Sequence, residues 1–317
     1  MHKACSDSFG LLIEICHFKL AKGQPGTNSQ SGIVISLDIK NKGQFMPDSQ
    51  IEKLEKALLQ AGKDNADKFT RDLVIIQNRL YSQLESLSWL QRRLAIKGQL
   101  PPLRGWAASP DVLLRLHTHI MATRPRVVVE FGSGASTLVI ADALSQNGTG
   151  KLISMEHSDY YGAQTLETLE AEQLQGWVDL RIGDLETWEG EHLNPEGAEK
   201  PSRWYARSLL DDIEQVDLLW VDGPPGATCL FSRYPALPAL ADKLSPHAEV
   251  WLDDTIRQEE QDICERWTKD GGFVVDYYPL GKGLGRLTRK GSKTNAISEP
   301  ASPDDVFDFS ISNDQQG

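Results

Sequence analysis

Residues 126–144 read RVVVEFGSGASTLVIADAL, and no other stretch narrows the fold as far. Three valines and a phenylalanine form a short β-branched and aromatic run, which favours a strand. Gly132 and Gly134 follow, then a Ser-Thr pair and an apolar segment at helical spacing. Strand, tight bend and helix together make a unit of a parallel α/β sheet, where ligands sit beyond the end of the first strand. The glycines let the backbone turn sharply and come close to a ligand, and the helix start at Ser136 and Thr137 offers unpaired N–H groups. A dinucleotide fingerprint would need a third glycine at Thr137, and a phosphate loop would need Gly-Lys-Ser/Thr; the stretch has neither. It has Glu130 instead, two residues before the first glycine. A carboxylate there would repel a pyrophosphate and favour an ammonium or sulfonium group.

The same alternation continues to about residue 290. RVVVEF, KLISME, WVDLRI, VDLLWVD and AEVWLDD read as strands, with helices expected near 136–146, 160–174, 232–244 and 256–270. Short unbroken apolar runs between amphipathic segments predict a mostly parallel sheet covered on both faces. GFVVDYYP and LGRLTRK leave no room for a crossover helix, so they must form an antiparallel hairpin, with GKGLGR as its turn. The expected fold class is α/β: a Rossmann-like seven-stranded sheet, mostly parallel, with a terminal antiparallel hairpin.

Four zones follow: a small β-hairpin-like element at 1–47, a helical segment at 48–98, the α/β domain at 99–291, and an acidic, disordered tail at 292–317. In the helical segment Leu73, Leu80, Leu87 and Leu94 recur at heptad spacing, with Phe69, Ile76 and Leu90 in the companion position and Gln83 interrupting it. That stripe suits either packing on the chain's own domain or a coiled-coil seam in a homodimer.

Net charge is −12, and the densest basic cluster is only QRRLAIK, which disfavours a nucleic-acid substrate. A small molecule or a glycan fits better. No apolar run is long enough to span a bilayer, the N-terminus makes a poor secretory signal, and the four scattered cysteines suit a reducing compartment, so a cytoplasmic location is expected.

VVEFGSGAST resembles the first motif of class I S-adenosylmethionine-dependent methyltransferases, acid-x-Gly-x-Gly-x-small, and the sheet with its terminal hairpin resembles that family's fold. The combination PLRGWAASPDVL, VVEFGSGAST, ISMEHSDYY, VDGPPG, RYPALPAL and LDDTIR is similar to a group of bacterial methyltransferases of uncertain substrate. Ser136 departs from the pattern, standing where many members have glycine. The resemblance implies S-adenosyl-L-methionine as donor, held by Glu130, Gly132, Ser133, Gly134, Ser136 and Thr137.

Further candidates sit at later strand ends. Glu156 lies 24 residues beyond Gly132, near the spacing at which an acid meets ribose hydroxyls. Asp184, after the third strand, is placed to accept from the adenine amino group. Asp222, Asp253 and Asp254 end neighbouring strands without an obvious basic partner, and a hard cation would relieve their repulsion. The arrangement is similar to catechol-type O-methyltransferases, which hold Mg2+ with such acids, although Asp254 stands where that group often has asparagine. The bland readings are turn and helix caps, with Arg257 neutralising one acid. Asp222 and His157 are the catalytic candidates, His157 being the nearest base if no metal is bound. Trp106, Trp204, Tyr205, Arg233 and Tyr234 are candidate pocket walls, and KPSRWYARSLLDDIE follows a long polar loop and is expected to act as a lid. DGPPG lacks the aromatic of the Asp/Asn-Pro-Pro-aromatic motif used for amino methylation of nucleic acids. The leading expectation is methylation of an oxygen. An aminopropyl-type transferase and a non-catalytic scaffold dimerising through the heptad helix are the alternatives.

Overall fold

The computed structural model describes residues 47–193, 198 and 200–291. The expected N-terminal hairpin, apart from Pro47, and the expected tail lie outside them. The chain divides into two compact units, Met1–Arg71 and Asp72–Gly317. The division falls inside α1 (Asp48–Arg93), whose mix of strong helix formers carries no glycine after Gly62 and no proline.

In the second unit α2 (Pro110–Thr123) leads into β1 (Val127–Phe131), α3 (Ala135–Asn147), β2 (Lys151–Glu156), α4 (Asp159–Ala171) and β3 (Val178–Ile182). Next come β4 (Leu185–Thr187), β5 (Arg203–Tyr205), β6 (Val216–Val221), the short α5 (Ala236–Leu240), β7 (Leu244–Asp253) and α6 (Gln258–Asp270). β8 (Phe273–Tyr278) and β9 (Leu284–Arg289) close the sheet. The seven-stranded sheet has the order β3-β2-β1-β6-β7-β9-β8, parallel except that β9 runs antiparallel to both β7 and β8. All seven strands expected from the sequence are in it, hairpin included.

The unbroken apolar runs are explained by burial on both faces. Val129 and Phe131 of β1, with Leu219 and Val221 of β6, enter one core cluster; Val128, Leu218 and Trp220 enter the other. Period-2 alternation sends these residues by turns to the two clusters, so β1 and β6 are covered on both faces. β1 neighbours both β2 and β6, so the chain winds outward to β3 and then returns to the other side of β1. That reversal opens a crevice beyond the carboxyl ends of β1 and β6.

Two expectations change. KPSRWYARSLLDDIE is not a free lid: Arg203–Tyr205 pairs with β4, and Trp204 and Tyr205 are buried against Phe131, with centroids 4.6 and 5.2 Å away. Trp204, Tyr205, Leu210 and Ile213 of that segment all enter the core. The heptad stripe of α1 also divides. Leu90 and Leu94 are buried beside Val112, Leu113 and Leu116, whereas Phe69, Leu73, Ile76 and Leu80 are exposed. Gln83, the interruption in the stripe, donates to Asp111 Oδ2 at 2.7 Å, and the Arg93 guanidinium donates to Thr118 Oγ1 at 2.8 Å. The C-terminal end of the stripe therefore packs on the chain's own domain.

Candidate active site

The bend after β1 is held from three sides. Gly132 N–H donates to Met155 O of β2, Asp222 N–H donates to Phe131 O, and Ser133 N–H donates to Glu156 Oε2 at 3.0 Å. Gly132 has φ +94°, and a Cβ there would lie 3.2 Å from the backbone of Asp222 and Gly223. Both the left-handed backbone and the close approach of β6 require glycine. Gly223 is constrained in turn: a Cβ on it would meet the Tyr205 hydroxyl at 2.5 Å.

Glu130 was expected beside the donor's positive charge. The structure places it beneath the bend, fully buried and out of the cleft. Its Oε1 accepts from Ser136 Oγ, and its Oε2 accepts from Thr137 Oγ1 and Ser154 Oγ, each at 2.6 Å. Thr137 Oγ1 also accepts from Gly134 N–H at 2.8 Å. Ser136 and Thr137 thus point their hydroxyls down at Glu130, and Thr137 is likewise buried away from the cleft. Burial pushes the Glu130 carboxyl up to about 7, against the three hydroxyl donors and with a small addition from Glu156. The acid of the motif is a brace that fixes the shape of the bend, because a strand pointing alternately up and down leaves this position facing inward.

Glu156 ends β2 and reaches the cleft. Its Oε1 accepts from the His157 and Ser158 N–H groups, both at 2.8 Å, and its Oε2 from Ser133 N–H and Ser133 Oγ at 3.0 and 2.9 Å. Burial raises the carboxyl. His157, whose Nδ1 lies 3.1 Å from Oε1, together with Ser158 N–H and the Ser133 hydroxyl, outweighs this and holds it below the usual range. Four donors use the full capacity of a carboxylate. Ser133 Oγ also lies 3.2 Å from Thr165 Oγ1, so it can turn to that partner and release one Oε2 acceptor. His157 lines the cleft with its ring edge-on to Tyr205, the centroids 6.3 Å apart. Asp184 is exposed and does not line the cleft, because the chain turns into β4 directly after it.

The cleft has a volume of about 610 Å3. Gly132, Ser133, Glu156, His157, Tyr205 and Asp222 line one side, and the segment around Trp106 lines another. Of the expected walls, Trp106 and Tyr205 line it, while Trp204 and Tyr234 are buried in the core. The Tyr205 hydroxyl is buried without a hydrogen-bond partner, and burial, with Glu156 adding, holds it in the protonated, donating form. An orphaned donor over a glycine bend fits a polar ligand lying against it.

The acids of β6 and β7 do converge: Asp222, Asp253 and Asp254 each bring one oxygen within 4.8 Å of the others. Only Asp222 lines the cleft. The premise that they lack a basic partner is overturned. Arg233 Nη2 donates to Asp222 Oδ1 at 3.0 Å and to Asp254 Oδ2 at 2.9 Å, and Arg257 Nη2 donates to Asp254 Oδ2 at 2.7 Å. Arg233 was read as a wall; its place inside the apolar run FSRYPALPAL was the available signal, since a buried arginine needs acids. The residues do not fit Mg2+, because a guanidinium already bridges two of the three acids that would ligate it. Burial raises the Asp222 carboxyl to about 7, with Arg233 opposing and Asp254 adding.

A Rossmann-like sheet of this order thus brings a glycine bend after β1, an acid ending β2 and an acid after β6 around one cleft. Residues 129–255 match the family described as methyltransferase domain, from β1 to just beyond the end of β7. That match spans about two fifths of the chain, and the sheet order agrees with the class I S-adenosylmethionine-dependent methyltransferase fold that the sequence resembles. Among solved structures it is similar to the SAH-bound methyltransferase PaMTH1 of Podospora anserina, at 16% identity over 66% of this chain and 88% of that one, TM-score 0.47. It is also similar to the O-methyltransferase from Bacillus cereus in complex with SAH, at 15% identity over 66% and 91%, TM-score 0.45. A third is the O-methyltransferase TomG of Streptomyces achromogenes, involved in tomaymycin synthesis, in complex with SAM, at 14% identity over 66% and 90%, TM-score 0.44. No curated protein matches the chain. Among the described residues no helix is long and apolar enough to cross a membrane.

Proposed function

We propose that the chain methylates an oxygen of a small molecule or a glycan, with Asp222 taking the proton from the acceptor hydroxyl. The observation that carries this reading is one cleft holding the glycine bend, Glu156 and Asp222 at the ends of the adjacent strands β1, β2 and β6, with Tyr205 of β5 beside them. S-Adenosyl-L-methionine, bound there, supplies a methyl group on a sulfonium sulfur. Glu156 would accept from a ribose hydroxyl once Ser133 Oγ has turned to Thr165, and the backbone of Gly132–Gly134 would border the donor. Asp222, pushed up to about 7, sits where a general base is most useful near neutral pH. Arg233 holds its Oδ1, which fixes the direction of the carboxylate. His157, already against Glu156, is better suited to hold that acid than to take the acceptor proton. Trp106, largely exposed at the rim, offers a face to a sugar or a flat ring.

An aminopropyl transfer would need free acids for the amine, and the guanidinium bridging Asp222 and Asp254 speaks against it. Exposed Phe69, Leu73, Ile76 and Leu80 favour a second copy of the chain as a further partner. The unpaired Cys229 and Cys264 agree with a cytoplasmic setting. The test is incubation with methyl-labelled S-adenosyl-L-methionine and a panel of hydroxylated small molecules and glycans. Label recovered as a methyl ether supports the proposal; label found only on nitrogen or carbon, or no binding of the donor in calorimetry, rejects it.

A further inference from the structure

We propose that Arg233 is the resident cation of the acid cluster and that the enzyme works without a divalent metal. This rests on the methyl-transfer reading only for what the cluster serves. The cluster has the layout of a metal centre, with carboxylates at the ends of neighbouring strands β6 and β7 and their oxygens within 4.8 Å. Magnesium would have to sit between Asp222 and Asp254, at oxygen distances near 2.0–2.1 Å. That place is taken. Arg233 Nη2 hydrogen-bonds both carboxylates at 3.0 and 2.9 Å, and Nη1 donates to the Asp253 carbonyl at 3.1 Å, so the guanidinium is held on both of its arms.

The surrounding charges complete the case. Arg257 lies 2.7 Å from Asp254 and 2.6 Å from Glu260, Arg233 lies 3.8 Å from Glu260, and Lys282 approaches Asp254 at 4.0 Å. Three cations thus face Asp222, Asp254 and Glu260, and only buried Asp253 is without a charged contact. A carboxylate cluster attracts a divalent ion through its uncompensated charge, and here little remains. The Arg233 side chain is only 5% exposed, and a guanidinium keeps its charge at every accessible pH. Removing it would leave acids buried and unpaired, which neither water nor an apolar neighbour can compensate. Arg233 is a positioning residue: through Asp222 Oδ1 it sets the carboxylate at the cleft, as a metal would.

The test is titration of the full-length protein with Mn2+, followed by electron paramagnetic resonance. Wild type and Arg233→Lys are expected to take up no ion at the cluster, and methyl transfer is expected to be unchanged by EDTA. Arg233→Ala is expected to bind one Mn2+ about 10-fold or more tighter than wild type, and Arg233→Ala with Asp254→Asn is expected to lose it. A wild-type Mn2+ site that Asp222→Asn abolishes overturns the proposal, and so does a folded Arg233→Ala protein that takes up none. Uptake in wild type that survives Asp222→Asn belongs to surface carboxylates and leaves the proposal standing. Should Arg233→Ala fail to fold, the wild-type and Arg233→Lys titrations decide. Calorimetry with S-adenosyl-L-methionine on the same samples separates the two ideas, since loss of donor binding removes the methyl-transfer reading and leaves the cation result intact.

Discussion

Glu130 braces the glycine bend from beneath and does not line the cleft. Folded, it keeps its proton up to about pH 7, while the unfolded chain releases it near 4.5. At this residue the native state therefore binds more protons than the unfolded state across that window, so the contribution of Glu130 to stability falls as pH rises from 4.5 to 7. The shift corresponds to roughly 3 kcal/mol at most. Glu130→Gln, which cannot ionise, is expected to flatten that slope in urea melts at pH 4.5 and 7, with donor affinity changed little. An unchanged slope would mean that another group carries it. For Asp222→Asn the expected result is turnover reduced by about 10²-fold or more, with donor affinity preserved and the pH-rate limb near 7 lost. Glu156→Ala should do the opposite: calorimetry should show donor affinity weakened by about 10-fold or more, because a charge-assisted hydrogen bond to the donor goes.

At the scale of elements, the long helix is the part whose role the sequence left open. Its heptad stripe satisfied two readings, and the structure assigns its C-terminal end to the domain through Leu90 and Leu94. Leu90→Ala is expected to cost about 2–5 kcal/mol in denaturant unfolding, as a fully buried leucine does. Leu73→Ala, on the exposed stretch, should stay within about 0.5 kcal/mol in dilute protein, where only the monomer is present. If a second copy covers Phe69 to Leu80, Leu73→Glu with Leu80→Glu will lower the sedimentation coefficient to that of a monomer while leaving donor binding intact. The segment around Trp204 teaches the complementary point. Its aromatic content signalled a wall or a lid, yet once β5 pairs with β4 Trp204 serves as core and Tyr205 serves as both core and wall. Composition cannot tell a pocket face from a core face when both are aromatic.

For the molecule as a whole, the donor should act as a folding ligand of the sheet, since the bend, Glu156 and Asp222 come together only in the native state. At 100 times its Kd, binding adds about 2.7 kcal/mol, and a domain of this size should then melt roughly 5–10 °C higher. Differential scanning calorimetry with and without S-adenosyl-L-methionine checks this, and a flat response would remove the enzyme reading. Strand identity, the parallel order with its terminal hairpin, and the glycine bend were all legible along the chain, because burial on both faces and backbone torsion act over a few neighbouring residues. The direction in which each polar side chain points was not. Glu130 faces down to Ser136, Thr137 and Ser154, Asp184 faces water, and Arg233 crosses from the loop after β6 to bridge Asp222 and Asp254. Ser154 and Asp254 lie 24 and 21 residues from Glu130 and Arg233, and only the placing of β2 beside β1 and of β7 beside β6 sets the distances through which charge and hydrogen bonding act.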